Sequence, residues 1–296
     1  MVKLRKYILT VTMVTVIILI AVLWLFPSDD DFHTDNPFWN GTKDVSLSCP
    51  VSPIASLSDL PTSPRGATLI LIPYLDFSPD ELEALNDFVS KGGTLVLADD
   101  YGYGNQALEY LGLKASFSGQ PLLDPLANCK NERFPQIFNL TSSPITLNAE
   151  GLVLNHATCL TDVEADNILA LSSSFSFIDL DGNQVWNGDE PTGPLPVISR
   201  HNLGSGQVIL IADPSLFINS MQAIESNDHF IQNIAATTTT ELLIDQSHLT
   251  QSNLHQTKDL LAYLRGALVT PVGSLTLVIA ALTITLMPLW HERREH

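Results

Sequence analysis

The chain has 296 residues, of which 45% are hydrophobic, and this combination argues against a disordered protein and allows one large or two small domains. Its formal net charge is −18, from 32 acidic and 14 basic residues. Such an excess of acid repels nucleic acid and anionic lipid headgroups, so we expect no nucleic-acid partner. Cations and basic proteins are compatible with this charge as ligands or partners.

Two uncharged segments lie near the ends of the chain. Residues 7–26 and 267–290 are both long enough to cross a bilayer as a helix, which requires about 20 apolar residues. The first segment ends in Trp24, Phe26 and Pro27 instead of a small-x-small cleavage site, which favours an uncleaved anchor over a removed signal peptide. The sequence therefore predicts two membrane-spanning helices.

Basic residues predict how these helices are oriented. They flank both predicted spans on the sides nearest the chain ends. They are Lys3, Arg5 and Lys6 in the tail 1–6, and Arg293 and Arg294 in the tail 291–296. The positive-inside rule then places both termini in the cytoplasm and the middle of the chain outside it, in the cell membrane of a two-pass protein. Residues 27–264 carry 8 basic and 30 acidic residues, a net charge of −22.

The part between the spans divides into three segments. Residues 27–65 are rich in Ser, Pro, Asp and Asn without clear periodicity, which predicts an extracytoplasmic spacer. Residues 66–249 alternate between apolar runs and amphipathic stretches, which predicts a folded α/β domain. Residues 250–266 are expected to form a linker helix that leads to the second span.

The clearest local pattern in this domain is a strand, a helix and a second strand. The unbroken apolar runs 67–73 and 94–98 predict strands that are covered on both faces. Between them, Ser78 is a predicted N-cap, Pro79 occupies the first helical position and Glu81 lies where it closes a capping box. A unit of about 30 residues has the length of a parallel crossover connection.

The remaining pattern extends this alternation. The predicted elements are a short helix at 105–113, loops and short strands at 115–165, β structure from 168 to 213, a helix at 227–238 and a last strand at 241–245. Together they predict a doubly wound parallel sheet flanked by helices, with β-rich insertions.

Acidic residues follow three of the predicted strands. Ligands of open α/β sheets bind beyond the carboxyl ends of the strands, so this cluster is a candidate pocket. The candidate ligand-binding residues are Asp99, Asp100, Tyr101, Gly102, Asn105, Asp213, Asp245 and His248. They suit an oxygen-rich cation site or an acid/base pair that hydrolyses a glycosidic or ester bond. The alternative is that each aspartate caps the helix that follows it.

The turn after these aspartates has the spacing of a dinucleotide fingerprint. It reads Gly102-Tyr-Gly104-Asn-Gln-Ala107 and lies between a predicted strand and a predicted helix. Two carboxylates immediately before it would face the pyrophosphate, so the charge argues against a nucleotide, and the glycines are better explained by a tight backbone turn. The sequence identifies no cofactor.

Cysteines and glycosylation sequons supply two further expectations. Cys49, Cys129 and Cys159 lack the spacing of a zinc site, and an outward-facing compartment permits one disulfide, for which Cys129 and Cys159 are the candidate pair. Asn40 and Asn139 each begin an Asn-x-Thr sequon on the predicted outer side.

Several stretches together resemble a known family. RGATLILIP, SPDELEALNDFVSKGGTLVLADDYGYGN, ALEYLGL, GSGQVILIADPSLFIN and LLIDQSHL, in this order, resemble the domain-of-unknown-function family 4350. That family is similar in fold to class I glutamine amidotransferases, so the resemblance, over residues 65–249, implies a flavodoxin-like domain. No catalytic residue carries over, because Asp99, Asp100 and Tyr101 follow the strand where the enzymes have their cysteine.

The resemblance also implies a setting for the protein. It links the chain to membrane systems that contain a MoxR-type AAA ATPase and transglutaminase-like membrane proteins. The function expected from residues and resemblance together is a membrane-anchored, extracytoplasmic domain that binds or scaffolds without catalysis. The competing class is an extracytoplasmic hydrolase, with or without the assistance of a metal ion, that uses the carboxylates of the strand ends with His248.

Overall fold

A computed structural model of the protein describes residues 2–292. The chain divides into two compact units, one formed by residues 29–250 and the other by the terminal segments before and after it. The basic residues of both predicted tails lie outside the residues whose side chains are described.

The helices lie in both units. They are α1 (Val2–Leu25), α2 (Lys43–Ser48), α3 (Pro79–Ser90), α4 (Asn105–Tyr110), α5 (Asn219–Gln222), α6 (Asn227–Thr237), α7 (Asn253–Val269) and α8 (Pro271–Glu292). Short 3-10 helices cover Leu57–Asp59, Pro144–Thr146, Ala165–Asn167 and Pro214–Phe217.

The described strands all belong to the 29–250 unit. They are β1 (Val51–Ile54), β2 (Thr68–Leu71), β3 (Thr94–Ala98), β4 (Ser116–Phe117), β5 (Leu122–Leu123), β6 (Gln136–Ile137), β7 (Asn139–Leu140), β8 (Leu152–Val153), β9 (Leu160–Thr161), β10 (Ile168–Leu171), β11 (Phe177–Ile178), β12 (Pro196–Leu203), β13 (Gly206–Ile211) and β14 (Leu242–Asp245).

One large sheet organises this unit. Its strand order is β1-β14-β2-β3-β13-β12-β10-β7, and the first five strands run parallel. The hairpin of β12 and β13 reverses the direction, and the last three strands pair antiparallel. The predicted mixed α/β class, with a mostly parallel central sheet and flanking helices, is confirmed.

The unbroken apolar runs fold as the centre of this sheet. Every residue of β2 is buried, and so is every residue of β3 after Thr94, because these strands are covered on both faces. Helix α3 buries Leu82, Leu85 and Phe88 on one side. Its predicted capping box is present: the Ser78 hydroxyl accepts from the Glu81 N–H at 3.4 Å, and the Glu81 carboxylate accepts from the Ser78 N–H at 2.8 Å.

The expectation of a spacer at 27–65 was wrong from Asp29 onward. These residues belong to the compact unit, and β1 adds a parallel edge strand next to β14. Buried side chains hold the segment without regular periodicity: Asn36 is fully buried and donates to the Asp30 carbonyl at 2.7 Å. Because polar side chains replace regular backbone pairing here, the segment has the composition of a loop although it is packed.

The second predicted span, 267–290, was wrong at its start. Residues up to Val269 belong to α7, and α8 begins at Pro271 with its axis at 84° to that of α7. Proline disfavours the helical conformation of the residue before it, and Thr270 is extended with φ −61° and ψ 155°.

Membrane-length helices are few in the described part of the chain. One helix there, over Tyr7–Leu25, is long and apolar enough to cross a membrane by itself. The bent pair Asn253–Val269 and Pro271–Ile279 counts as a second span only if both helices are taken together. Length and composition thus support membrane anchoring at the first helix.

Gly206 offers a test of how tightly α3 packs on the sheet. A Cβ at this position would lie 2.2 Å from the Gly93 carbonyl oxygen and 2.3 Å from that of Val89, which are backbone atoms just after α3 and in its last turn. We expect Gly206→Ala to lower the free energy of unfolding by about 1–3 kcal/mol, as overpacking does. Thermal and denaturant unfolding of the purified protein measure it. At Gly188 a Cβ would meet nothing within 4 Å, so Gly188→Ala is the control, and equal losses in the two variants would contradict the packing argument.

Candidate functional site

The acidic residues predicted at the strand ends do meet at one edge of the sheet. β3 and β13 are parallel neighbours with Ala98 opposite Ile211, so the same register places Asp100 level with Asp213 and Asp99 one residue before it. The Asp99 N–H donates to the Ile211 carbonyl at 3.1 Å and fixes this register. Asp245 ends β14, which β2 separates from β3.

The side chain of Asp99 binds the backbone of the turn that follows it. Its carboxylate is 2% exposed and accepts three backbone N–H groups: Tyr101 at 2.9 Å, Gly102 at 3.0 Å and Gly104 at 2.6 Å. Burial raises the pKa of Asp99, and these hydrogen bonds oppose the rise. The glycine turn therefore wraps around a carboxylate of the chain itself, which occupies the N–H groups that a phosphate would need.

Asp213 is held in the same way between two segments. It is fully buried, and its two oxygens accept from the Ser215 N–H at 2.7 Å and the Asn155 N–H at 2.6 Å. Burial is the main reason that the pKa of Asp213 rises to about 7, and the negative charge of Asp100 adds to it. Asp213 thus caps the 3-10 helix that begins at Pro214 and ties it to the loop at Asn155.

Asp100 and Tyr74 lie close enough to the two buried aspartates to interact with their charges. Asp100 is half-buried, and burial together with the charge of Asp99 raises its pKa to about 7. Tyr74 follows β2, and burial and the negative charges of Asp100 and Asp213 raise the pKa of its hydroxyl. Sequence analysis missed Tyr74, although it follows a buried strand at the same edge of the sheet.

Aromatic rings surround the Tyr74 side chain. Its ring centroid lies 5.5 Å from that of Phe32, 6.0 Å from that of Tyr101 and 6.3 Å from that of Tyr103. These separations are typical of favourable aromatic pairs. Tyr74 therefore joins the buried carboxylates to an aromatic surface.

His248 lies between two carboxylates. It is 2% exposed, its Nδ1 lies 2.9 Å from Asp245 Oδ2, and its Nε2 lies 3.6 Å from Glu81 Oε1. Its ring packs on Phe77 with centroids 4.5 Å apart. Burial raises the pKa of Glu81, but hydrogen bonds from Ser78 and the charge of His248 outweigh it and the pKa is lowered.

Ser247 does not complete a nucleophilic triad with these residues. Its hydroxyl donates to Asp245 Oδ1 at 2.6 Å and lies 3.1 Å from His248 Nδ1. Serine and aspartate therefore meet the same ring nitrogen, whereas a triad needs them on opposite nitrogens. The cluster fixes the segment after β14 and leaves the serine hydroxyl bound to a carboxylate.

An open groove of about 680 Å³ lies beside these buried groups. Its lining residues are Asp76, Phe77, Tyr101, Gly102, Tyr103 and Gln106. Tyr101 is 65% exposed and Tyr103 is 41% exposed. Gln106 fixes the floor, because its side chain accepts from the Phe77 N–H at 2.9 Å and donates to the Phe77 carbonyl at 3.1 Å.

Of the predicted ligand-binding residues, two line this groove, Tyr101 and Gly102. Asn105 instead bonds both backbone groups of Phe117, at 2.9 Å and 2.8 Å. The buried aspartates and His248 lie beneath the surface. The sequence thus predicted Tyr101 and Gly102 but not the other lining residues, Asp76, Phe77, Tyr103 and Gln106.

The predicted disulfide between Cys129 and Cys159 was wrong. Both cysteines are free: Cys129 is exposed, whereas Cys159 is buried, and burial raises the pKa of its thiol to about 11. Of the sequon residues, Asn139 is exposed on β7. The Asn40 amide donates to the Asp29 carbonyl at 3.2 Å and also bonds Asp31.

A second acidic group escaped the sequence analysis. Asp179, Asp181 and Glu190 come together in the loop between β11 and β12, with one oxygen of each within 4.8 Å of the others. The spacing of the acidic residues along the loop was the signal that would have revealed them.

The family of the chain follows from comparison with known proteins. Residues 40–235 match the family described as "Domain of unknown function (DUF4350)", and the chain belongs to this family. No curated protein matches the sequence.

Solved structures show distant similarity. The mmIFT52 N-terminal domain is 15% identical with a TM-score of 0.43, covering 61% of this chain and 76% of that one. A β-galactosidase from Bacillus circulans sp. alkalophilus is 16% identical with a TM-score of 0.37, covering 58% and 22%. The exo-β-1,4-mannosidase Op5Man5 from Opitutaceae bacterium strain TAV5 is 16% identical with a TM-score of 0.30, covering 68% and 27%. These similarities are too weak to transfer an activity.

The buried carboxyl of Asp213 predicts a pH dependence of stability. Its pKa is about 7 in the folded state and about 3.9 in an unfolded chain, so between these values the folded state binds more protons. Stability from this group is therefore present below about pH 4 and is lost as the pH rises to 7, by at most about 1.4 kcal/mol per pH unit. Thermal unfolding of wild type and Asp213→Asn between these pH values measures the slope. The variant should have the flatter profile, and identical slopes would show that Asp213 is ionised throughout.

Proposed function

We propose that the protein is a membrane-anchored, non-catalytic binding or scaffold component of a membrane assembly. The observation that supports this most directly is that the carboxylates at the strand ends are already bound to backbone N–H groups of the chain itself. Asp99, Asp213 and Asp245 are all buried and accept backbone N–H groups of the segments that follow them. Carboxylates bound in this way stabilise turns and are poorly placed to reach a substrate.

The aromatic groove is the proposed binding surface. Phe77, Tyr101 and Tyr103 supply apolar and aromatic area, while Asp76 and Gln106 supply polar groups. A side chain with a planar or apolar body and a cationic end fits this composition, because tyrosine faces and carboxylates both attract cations. The net charge of −22 over residues 27–264 favours basic partners.

The proposed setting is the outer side of a cell membrane. The helix over Tyr7–Leu25 supports an anchor, and we propose α8 as a second span that returns the chain to the cytoplasm. The basic residues of both tails support this orientation. Membership of the family supports a class I amidotransferase-like fold and, by analogy, a system with a MoxR-type AAA ATPase and other membrane proteins.

An extracytoplasmic hydrolase is the second candidate. It is favoured by the pKa values of Asp100 and Asp213, both raised to about 7, since such shifts are frequent at catalytic sites. Asp213, however, is fully buried with both oxygens bonded, and Asp99, whose charge acts on Asp100, is buried and accepts three backbone N–H groups.

Cys129 allows a direct test of the orientation. It is exposed, whereas Cys49 and Cys159 are buried, so a membrane-impermeant maleimide should label the folded chain at Cys129 alone. We expect labelling in intact cells, at the same level as in permeabilised cells, and its loss in Cys129→Ala. Labelling that requires permeabilisation would place the domain in the cytoplasm.

Groove variants test the binding role. We expect Tyr101→Ser with Tyr103→Ser to lower partner recovery at least about tenfold, as the loss of two aromatic anchors does, when detergent-solubilised tagged protein is isolated from its own cells. Tyr110→Ser is the matched control, because Tyr110 is 49% exposed on α4 and lies outside the groove.

Asp100→Asn separates the two candidates. It should leave partner recovery within about twofold of wild type, because Asp100 does not line the groove. A hydrolytic activity found by substrate screening and abolished by Asp100→Asn, together with no recovered partner, would favour the hydrolase.

A further inference from the structure

The loop between β11 and β12 brings three carboxylates together. One oxygen each of Asp179, Asp181 and Glu190 lies within 4.8 Å of the others. Oxygen ligands of Ca²⁺ lie about 2.3–2.6 Å from the ion, so two ligands of one ion are at most about 5 Å apart. The separation found here is compatible with a single shared cation.

The sequence of this loop carries an independent signal. Residues 179–190 read DLDGNQVWNGDE, and the calcium loop of EF-hand proteins has Asp at position 1, Asp or Asn at positions 3 and 5, and Glu at position 12. Asp179, Asp181, Asn183 and Glu190 fill those four positions. The glycine usual at position 6 is replaced by Gln184, which adopts the left-handed φ of 62° that such a glycine provides.

Burial gives the second reason for a cation. Asp179 is 3% exposed and Glu190 is 6% exposed, so two neighbouring acidic residues are withdrawn from water. Within the described residues, no ion pair with Lys, Arg or His reaches either of them or Asp181. Like charges that are buried together are costly without a counter-charge.

The backbone holds the carboxylates in place. The Ile178 N–H donates to the Pro191 carbonyl at 3.0 Å and joins the two ends of the loop. The Glu190 carboxylate accepts from the Leu180 N–H and the Asn187 N–H, both at 2.8 Å. The Asp179 carboxylate accepts from the N–H groups of Gly182 at 2.9 Å, Asn183 at 3.1 Å and Gln184 at 3.1 Å. Since a carboxylate has about four acceptor positions, these bonds leave capacity for an ion.

We propose that residues 179–190 bind one Ca²⁺. The ligands are the side chains of Asp179, Asp181 and Asn183, the carbonyl oxygen of Val185 at position 7, and both oxygens of Glu190 at position 12. Asn187, at position 9, holds a bound water, as that position often does in such loops. The ion offsets two of the three negative charges of the carboxylates and rigidifies the loop.

The experiment uses the full-length protein, purified with EDTA and kept in detergent. Tb³⁺ replaces Ca²⁺ in oxygen sites, and Trp186 at position 8 of the loop is close enough to sensitise its emission. We expect sensitised emission that Ca²⁺ displaces with a Kd of about 1 mM or tighter. Trp186→Phe should lose the emission but keep the rise in Tm that Ca²⁺ causes, which assigns the ion to this loop.

Three variants decide the outcome. Glu190→Gln and Asp181→Asn should weaken Ca²⁺ binding about tenfold or more, and Asp181 is exposed, so its variant tests binding without a loss of buried packing. Asp189→Asn is the matched control, since Asp189 is exposed at a position that supplies no ligand, and it should change the affinity less than about threefold. Absence of Ca²⁺ binding at about 10 mM, or equal losses in Asp189→Asn and Asp181→Asn, would overturn the proposal.

Discussion

The folded domain depends on burying carboxylates at the ends of parallel strands. Each such group loses hydration, and the chain compensates by aiming backbone N–H groups of the next turn at it, as Asp99 shows with three donors. The turn geometry, the position of α4 and the shape of the groove all follow from where these donors must lie. The buried carboxylates of this edge thus stabilise the turns that follow them, and Tyr101 and Tyr103 are the exposed aromatic side chains of the groove.

The regular part of the fold was predictable from sequence because its signals are local. β3 spans the predicted residues 94–98, and α3 was predicted from its capping box and proline. The β structure predicted from 168 to 213 contains β10 to β13, and the last strand, predicted at 241–245, is found at 242–245. In these elements, local preference and tertiary packing favour the same structure.

The errors arose where distant contacts decide the structure. Residues 29–65 have the composition of a loop, but contacts far along the chain hold them: the Thr34 N–H donates to Gln246 and the Asp44 N–H to Asn219, at 3.0 and 2.9 Å. The sequence also did not show that the aspartates are buried, because the sequence pattern of an aspartate at a strand end is the same whether its carboxylate faces solvent or binds the following turn. Tyr74 was missed because its importance comes from neighbours on other segments.

The contact between His248 and Glu81 has a mechanical consequence. β14 lies between β1 and β2, so tension applied to the chain after residue 250 would shear two rows of parallel hydrogen bonds at once. The same segment is tied to the N-terminal turn of α3 through His248 and Glu81, the glutamate that closes the capping box. The residues that follow β14 are thus held both by the sheet and by α3.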